Sequence, residues 1–383
     1  MKSRRSGWRA AAPGDQNAGF TAAAWSAEMS ARKSFRPAAL LLALAIAGLA
    51  PHAQALNFVI TDIGSTPMSA QQFAAIQTAA NYWKSQLSDN VTVYLGVSFS
   101  DLDANVLATT RSDKIAVNYD SLRSRLTTDA TSGIDASAVG HLQAGPSLSF
   151  VATQGDLTNH FDNDGSANNR QLYVNTANAK ALGLSTVNDA TAPDARISFA
   201  NAFAGDFAYS RVGGHIPAGQ TDFITVAEHE IGHALGFISG VDDIDFCIGH
   251  ASQCGLPNTA SRFENAPWYL PLDLFRYSAA NTLNLAVGGV PYFSLDGGVT
   301  MLESFSTGTY NGNGSQASHF GLNTPTLMQP FVNNGQSYDA SAVDLMAMDA
   351  IGWNLTTPVP EPRTYALLLG GLAAIGWLRR RRA

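Results

Sequence analysis

Between residues 69 and 88 apolar side chains return every three or four positions: Phe73, Ile76, Ala80, Trp83 and Leu87. That spacing gathers them on one face of a helix, so the pattern predicts an amphipathic helix over 69–88. Residues 91–99 follow the other period. Val91, Val93, Leu95, Val97 and Phe99 alternate with Thr92, Tyr94, Gly96 and Ser98, which predicts a half-buried strand. A short apolar strand over 58–61 precedes the helix, and a second alternation, Ile197, Phe199 and Phe203, comes later. Residues 102–142 keep to neither period and read as mixed helix and loop. Further on, S-A-V-D-L-M-A-M-D-A-I-G-W at 341–353 predicts a short helix. Val343, Met346, Ala347, Ala350 and Ile351 form its buried face and Gly352 is its stop. A helix, several strands and further helices in this order describe an α+β domain whose sheet packs on helices.

Both ends of the chain depart from this pattern. Arg32, Lys33 and Arg36 precede an apolar run over 37–50, and Ala53-Gln54-Ala55 then offers an A-x-A cleavage site. These are the three parts of a secretory signal, which implies processing by signal peptidase, a mature chain starting near Leu56, and translation from Met29. At the other end V-P-E-P at 359–362 leads into an apolar run over 365–378 and four arginines at 379–382. The run is short for a bilayer span, which takes about 20 residues. The arginines would keep the C-terminus in the cytoplasm, making the tail a transient inner-membrane anchor. The chain thus divides into an extension with signal peptide (1–55), a large central domain (56–356) and a C-terminal tail (357–383).

Composition narrows the function classes. Of the 383 residues only 14% are charged, against roughly 25% in ordinary soluble domains. A net charge of -7 with no internal basic patch argues against nucleic acid as a partner. The two cysteines, Cys247 and Cys254, lie seven positions apart; in an exported protein they predict one local disulfide. Their surroundings read as loop, with an acidic stretch over 241–245 and Pro257, Pro267 and Pro271 further on. Asp162-Asn163-Asp164-Gly165 resembles the start of a calcium loop but lacks the downstream bidentate glutamate, so it reads as a polar turn. His141, His160 and His215 have no partner pattern and read as surface or structural residues.

The chemistry is concentrated in A-E-H-E-I-G-H-A-L-G-F at 227–237. Its H-E-x-x-H core puts His229 and His233 one turn apart on one helix face, where both imidazoles reach the same cation, with Glu230 beside them as a base. Zn2+ suits such a set, because two imidazoles and one further ligand leave a position open for water. Gly236 stands where the helix must turn away. The compact pattern H-E-x-x-H-x-x-G-x-x-H would place the third histidine at Ser239, a poor ligand. The spacing leaves Asp242, Asp243, Asp245, His250 and His319 as candidates.

H-E-I-G-H-A-L-G-F, then S-H-F at 318–320, L-M-Q-P at 327–330 and D-L-M-A-M-D-A-I-G-W resemble the leishmanolysin-type metzincins. The resemblance covers roughly 223–237 and 318–353. It implies a metzincin-like two-subdomain zinc protease with a twisted mixed sheet, an active-site helix and a Met-turn. Carried over position by position, it makes His229, His233 and His319 the metal ligands, Glu230 the general base and Met328 the Met-turn residue. Two departures are the phenylalanine after His319 and the 86 positions separating His319 from His233. The tail in turn is similar to the PEP-CTERM sorting signals of Gram-negative bacteria. That implies an exosortase-type processing enzyme and delivery to the cell surface or the extracellular polysaccharide matrix. The expected function is a secreted zinc endopeptidase acting on protein or peptide substrates; the alternative is a matrix-anchored adhesion or structural protein with a vestigial zinc site.

Overall fold

A computed structural model of the chain describes residues 56–185, 191–321 and 325–356. The expected signal peptide, apolar tail run and PEP segment lie outside these residues. Among the described residues no helix is long and apolar enough to cross a membrane.

The chain opens with strand β1 (Asn57–Asp62) and helix α1 (Ala70–Gln86). Ser69 caps α1 reciprocally: its hydroxyl accepts from Gln72 N, and Gln72 Oε1 accepts from Ser69 N, so two of the donors left open at a helix start are satisfied. Strands β2 (Thr92–Ser100), β3 (Ala108–Ser112) and β4 (Lys114–Asn118) follow, then helices α2 (Tyr119–Asp129) and α3 (Gly133–Gly140). The expectation of helix and loop over 102–142 therefore missed two strands. β3 reads A-T-T-R-S, without the apolar alternation that announces a strand. Next come the hairpin β5 (Phe150–Thr153) and β6 (Asn159–Asp162), the short helix α4 (Ala167–Arg170), β7 (Gln171–Asn175), α5 (Thr176–Ala181) and β8 (Ala195–Ala200). Phe203, read with the β8 alternation, sits instead in a single 3-10 turn.

The main sheet has the order β1-β2-β8-β3. β1, β2 and β8 run parallel, and β3 runs antiparallel at the edge beside β8. β2 was expected to be half-buried, yet Gly96 and Ser98 are buried along with Val93, Leu95 and Val97. Both of its faces are covered, as befits a central parallel strand.

Short strands β9 (Phe207–Ala208) and β10 (Thr221–Asp222) lead into α6 (Phe223–Leu235), which carries the histidine motif. Asp222 caps α6 by accepting from Thr225 N, and Gly236 ends it at φ 121°, backbone that favours glycine. Phe223 anchors the helix start in an aromatic cluster with Phe99, Phe199, Phe207 and Tyr209. Along α6 only His229 escapes full burial. A second helix, α7 (Val241–Gly249), stands where a loop was expected, and the Cys247–Cys254 disulfide closes its end. A small sheet of β11 (Arg276–Ala279), β12 (Thr282–Leu283), β13 (Tyr292–Phe293) and β14 (Glu303–Ser304) comes next, and α8 (Ala342–Ala350) ends the described chain. In α8, Ala347, Ala350 and Ile351 are buried as expected, but so are Asp344, Met348 and Asp349, while Val343 and Met346 are half-buried.

α1 docks on α6 through Trp83, whose indole N–H donates to Glu228 O at 2.8 Å. α8 docks on the other end, where Trp353 Nε1 donates to Leu235 O at 2.8 Å. One apolar core runs from Val93 through Trp83 and Ile231 to Trp353, so the expected two subdomains share a single interior.

Candidate metal centre

A helix buried nearly all round should be apolar, yet α6 buries Glu228, Glu230 and His233. Polar groups in such a place require partners. His229 Nδ1 lies 2.8 Å from Leu327 O, and His233 Nδ1 lies 2.6 Å from Phe237 O. A loop residue, His319, puts its Nδ1 3.3 Å from Gln316 O. Carbonyls only accept, so each Nδ1 carries the ring proton and each Nε2 is left with its lone pair.

The three Nε2 atoms converge. His229 and His233 approach to 3.0 Å, His229 and His319 to 3.1 Å, and His233 and His319 to 3.2 Å. With no proton among them these contacts are not hydrogen bonds: three lone pairs face one another, a repulsive arrangement unless a cation joins them. The centre of such a triangle is about 1.8 Å from each nitrogen, close to the roughly 2.0–2.1 Å of a Zn–N bond. The donor set therefore fits a zinc-type ion with one side left open. Burial, reinforced by the neighbouring rings, holds the His319 pKa well below the usual histidine value and that of His233 down to about 3, while burial alone lowers that of His229. All three rings are neutral at neutral pH, the state in which imidazole ligates.

Glu230, 5% exposed, lies on the same turn. Thr110 on β3 donates its hydroxyl to Glu230 Oε2 at 2.6 Å and sits 3.0 Å from Glu230 O. Burial pushes the carboxyl up to about 7, against the opposing pull of that hydrogen bond. A base poised near neutrality suits proton transfer. Met328 is fully buried beneath the same turn. A Cβ placed on Gly232, between His229 and His233, would come within 2.7 Å of its sulfur.

The structure brings His319 to the other two histidines and employs the rival candidates elsewhere. Asp242 accepts from Ala317 N at 2.6 Å, from Ser318 N at 3.0 Å and from the Ser318 hydroxyl. Asp245, 1% exposed, accepts from Tyr310 N and Asn311 N. Asp243 pairs with Lys114 at the surface, and His250 Nδ1 faces Phe246 O. None of the four joins the group of three histidines.

Other members of the arrangement gave no signal in the sequence. Asp344, the N3 residue of α8, accepts from Leu327 N at 2.8 Å and Met328 N at 3.1 Å. It thereby fixes the carbonyl that orients His229. Asn175 donates to His233 O at 3.1 Å. The D-N-D-G segment starts at the last residue of β6, and both Asp162 oxygens accept carboxamide protons from Asn168 and Asn169. His160 approaches Glu264 at 3.7 Å, so it has an acidic neighbour that spacing did not reveal. His141 and His215 are exposed.

Residues 358–382 match the PEP-CTERM protein-sorting motif. That motif implies recognition by an exosortase-type enzyme, C-terminal processing, and export to the cell surface or extracellular matrix. No curated protein and no solved structure matches the chain.

Proposed function

We propose that this chain is an exported zinc-dependent endopeptidase of the metzincin type, similar to the leishmanolysins, with His229, His233 and His319 as ligands. The observation that carries the reading is the meeting of three unprotonated imidazole nitrogens beside a buried carboxylate. Bound there, zinc supplies Lewis acidity for the scissile carbonyl and lowers the pKa of water. Glu230 accepts the proton of the attacking water and passes it to the leaving amine. Thr110 holds the Glu230 carboxylate in place during both transfers. Met328, in the Met-turn position, supports the ligand turn from below at Gly232.

The sheet supports a peptide as substrate. β3 is the edge strand of its sheet, with β8 on one side and no strand on the other among the described residues. Because Thr110 reaches Glu230, that edge runs beside the centre, where an extended peptide can add as a further strand.

The test is a casein zymogram of the processed protein with and without a chelator, alongside Glu230→Gln. Chelation should abolish cleavage and added zinc restore it, while the variant should bind zinc and cleave nothing. Near-normal cleavage by the variant would remove Glu230 from its role. Full zinc loading without cleavage of any peptide would favour the adhesion reading.

A further inference from the structure

His319 enters the centre from a loop 86 residues beyond His233, so its position relies on whatever ties that loop to the histidine helix. The tie is visible. Asp242, in the first turn of α7, takes the N–H groups of Ala317 and Ser318 and the Ser318 hydroxyl on its two carboxylate oxygens. Arg276, 1% exposed, grips the same segment from its carbonyl side, donating to Ala317 O at 3.4 Å and to Ser306 O at 2.8 Å. Ser306 N in turn donates to His319 O at 2.9 Å. Ser318 Oγ also accepts from Ser239 N at 2.9 Å, in the turn joining α6 to α7. The turn itself is fixed by Asp273, which accepts from Ser239 Oγ and Gly240 N. It lies hard against Trp268, because a Cβ on Gly240 would fall 2.0 Å from Trp268 O. The residue preceding the third imidazole is thus bonded directly to the helix that follows the other two.

We infer that Asp242, supported by Arg276, is the positioning residue for the third ligand: it sets zinc affinity through His319 without touching the ion. The inference rests on the three-histidine reading of the centre. Its test is zinc affinity, measured by competition with a chromophoric chelator on the full processed chain. Every protein carries Glu230→Gln so that self-cleavage does not intervene. Four are compared: this parent, D242N, H319A and the D242N/H319A pair.

D242N should bind zinc on the order of tenfold more weakly, as when other outer partners of a metal ligand are removed. The pair should bind no more weakly than H319A alone, since Asp242 then has no ligand left to position. Unchanged affinity in D242N overturns the inference. So does a pair weakened below H319A by the full D242N factor, which is the additive behaviour of a merely structural residue. A parent that binds no zinc overturns the three-histidine reading and this inference with it, whereas failure confined to D242N leaves that reading standing. If D242N does not fold, Ser318→Ala removes the hydroxyl link alone. It should weaken zinc binding severalfold, and an unchanged affinity there also overturns the inference.

Discussion

Thr110 and Gly232 show how much of the centre depends on side chains that carry no chemistry of their own. Thr110 is the sole side-chain hydrogen-bond partner given to Glu230 among the described residues. Thr110→Val keeps the shape and removes the hydroxyl. A hydrogen bond to a charged group contributes roughly 1.5–3 kcal/mol, so kcat/KM on a peptide substrate should fall about tenfold or more with zinc content unchanged. Kinetics paired with metal analysis checks this; a proportional loss of zinc would mean that Thr110 supports the ligands instead. Gly232 is a matter of space. Alanine there meets Met328 Sδ at 2.7 Å and Trp83 Cζ2 at 3.3 Å, and overpacking of this kind costs about 1–3 kcal/mol. The expected signature is a coupling: Met328→Ala should lower the urea midpoint less in the Gly232→Ala background than in the parent.

Among the elements, those with a clean apolar period were legible beforehand: α1, β2 and α8 stand within a few residues of where the periodicity puts them, while α6 was announced by its histidine spacing. Two of the misses, α7 and β3, share one cause, polar residues turned inward. α7 reads V-D-D-I-D-F-C-I-G, and its aspartates look like a solvated loop until Asp242 and Asp245 are seen bonded to the backbone of residues 310–318. β3 was hidden because Thr110, one of its alternate residues, faces Glu230 and not an apolar core. At the centre, His229, Glu230 and His233 were legible from spacing alone, while His319 came through family resemblance; no periodicity encodes a contact across 86 residues. Asp344 lies outside the expected buried face of α8, yet it is the peg on which residues 327 and 328 hang. Asp344→Ala strands those two amides and the N–H of Ser341, leaving only the Ser341 hydroxyl half of the α8 cap. At about 1–3 kcal/mol per buried unpaired group, it should cost at least about 3 kcal/mol in chemical denaturation and loosen zinc. The disulfide belongs to this scale too. It closes a short ring at the end of α7, so C247S/C254S should cost about 2 kcal/mol by loop entropy, read as a lower denaturation midpoint under oxidising conditions.

At the scale of the whole molecule, two carboxyls that burial raises and that repel each other couple the fold to pH. Asp129 and Asp349 are pushed up to about 6, first by burial and then by the neighbouring carboxylates, among them Asp89 and Asp135. Their folded values exceed the unfolded value near 3.9. The folded state therefore holds extra protons between about pH 4 and 6, and the stability these groups support is lost as pH rises through 6. The buried histidines pull oppositely, since their lowered values favour the fold at higher pH, so the effect is read as a difference. Without metal, the urea midpoint of D129N/D349N should exceed the parent's by more at pH 7.5 than at pH 4. An equal difference at both pH values would show that the two carboxyls titrate normally.

The long interval before His319 also orders events in time. A polypeptide threading a secretion channel has made its first two nitrogens long before the third emerges, and two rings on one helical turn make a poor trap for an ion. The three-histidine cluster would then be completed last, once the loop after β14 and the pegging helix behind it have settled.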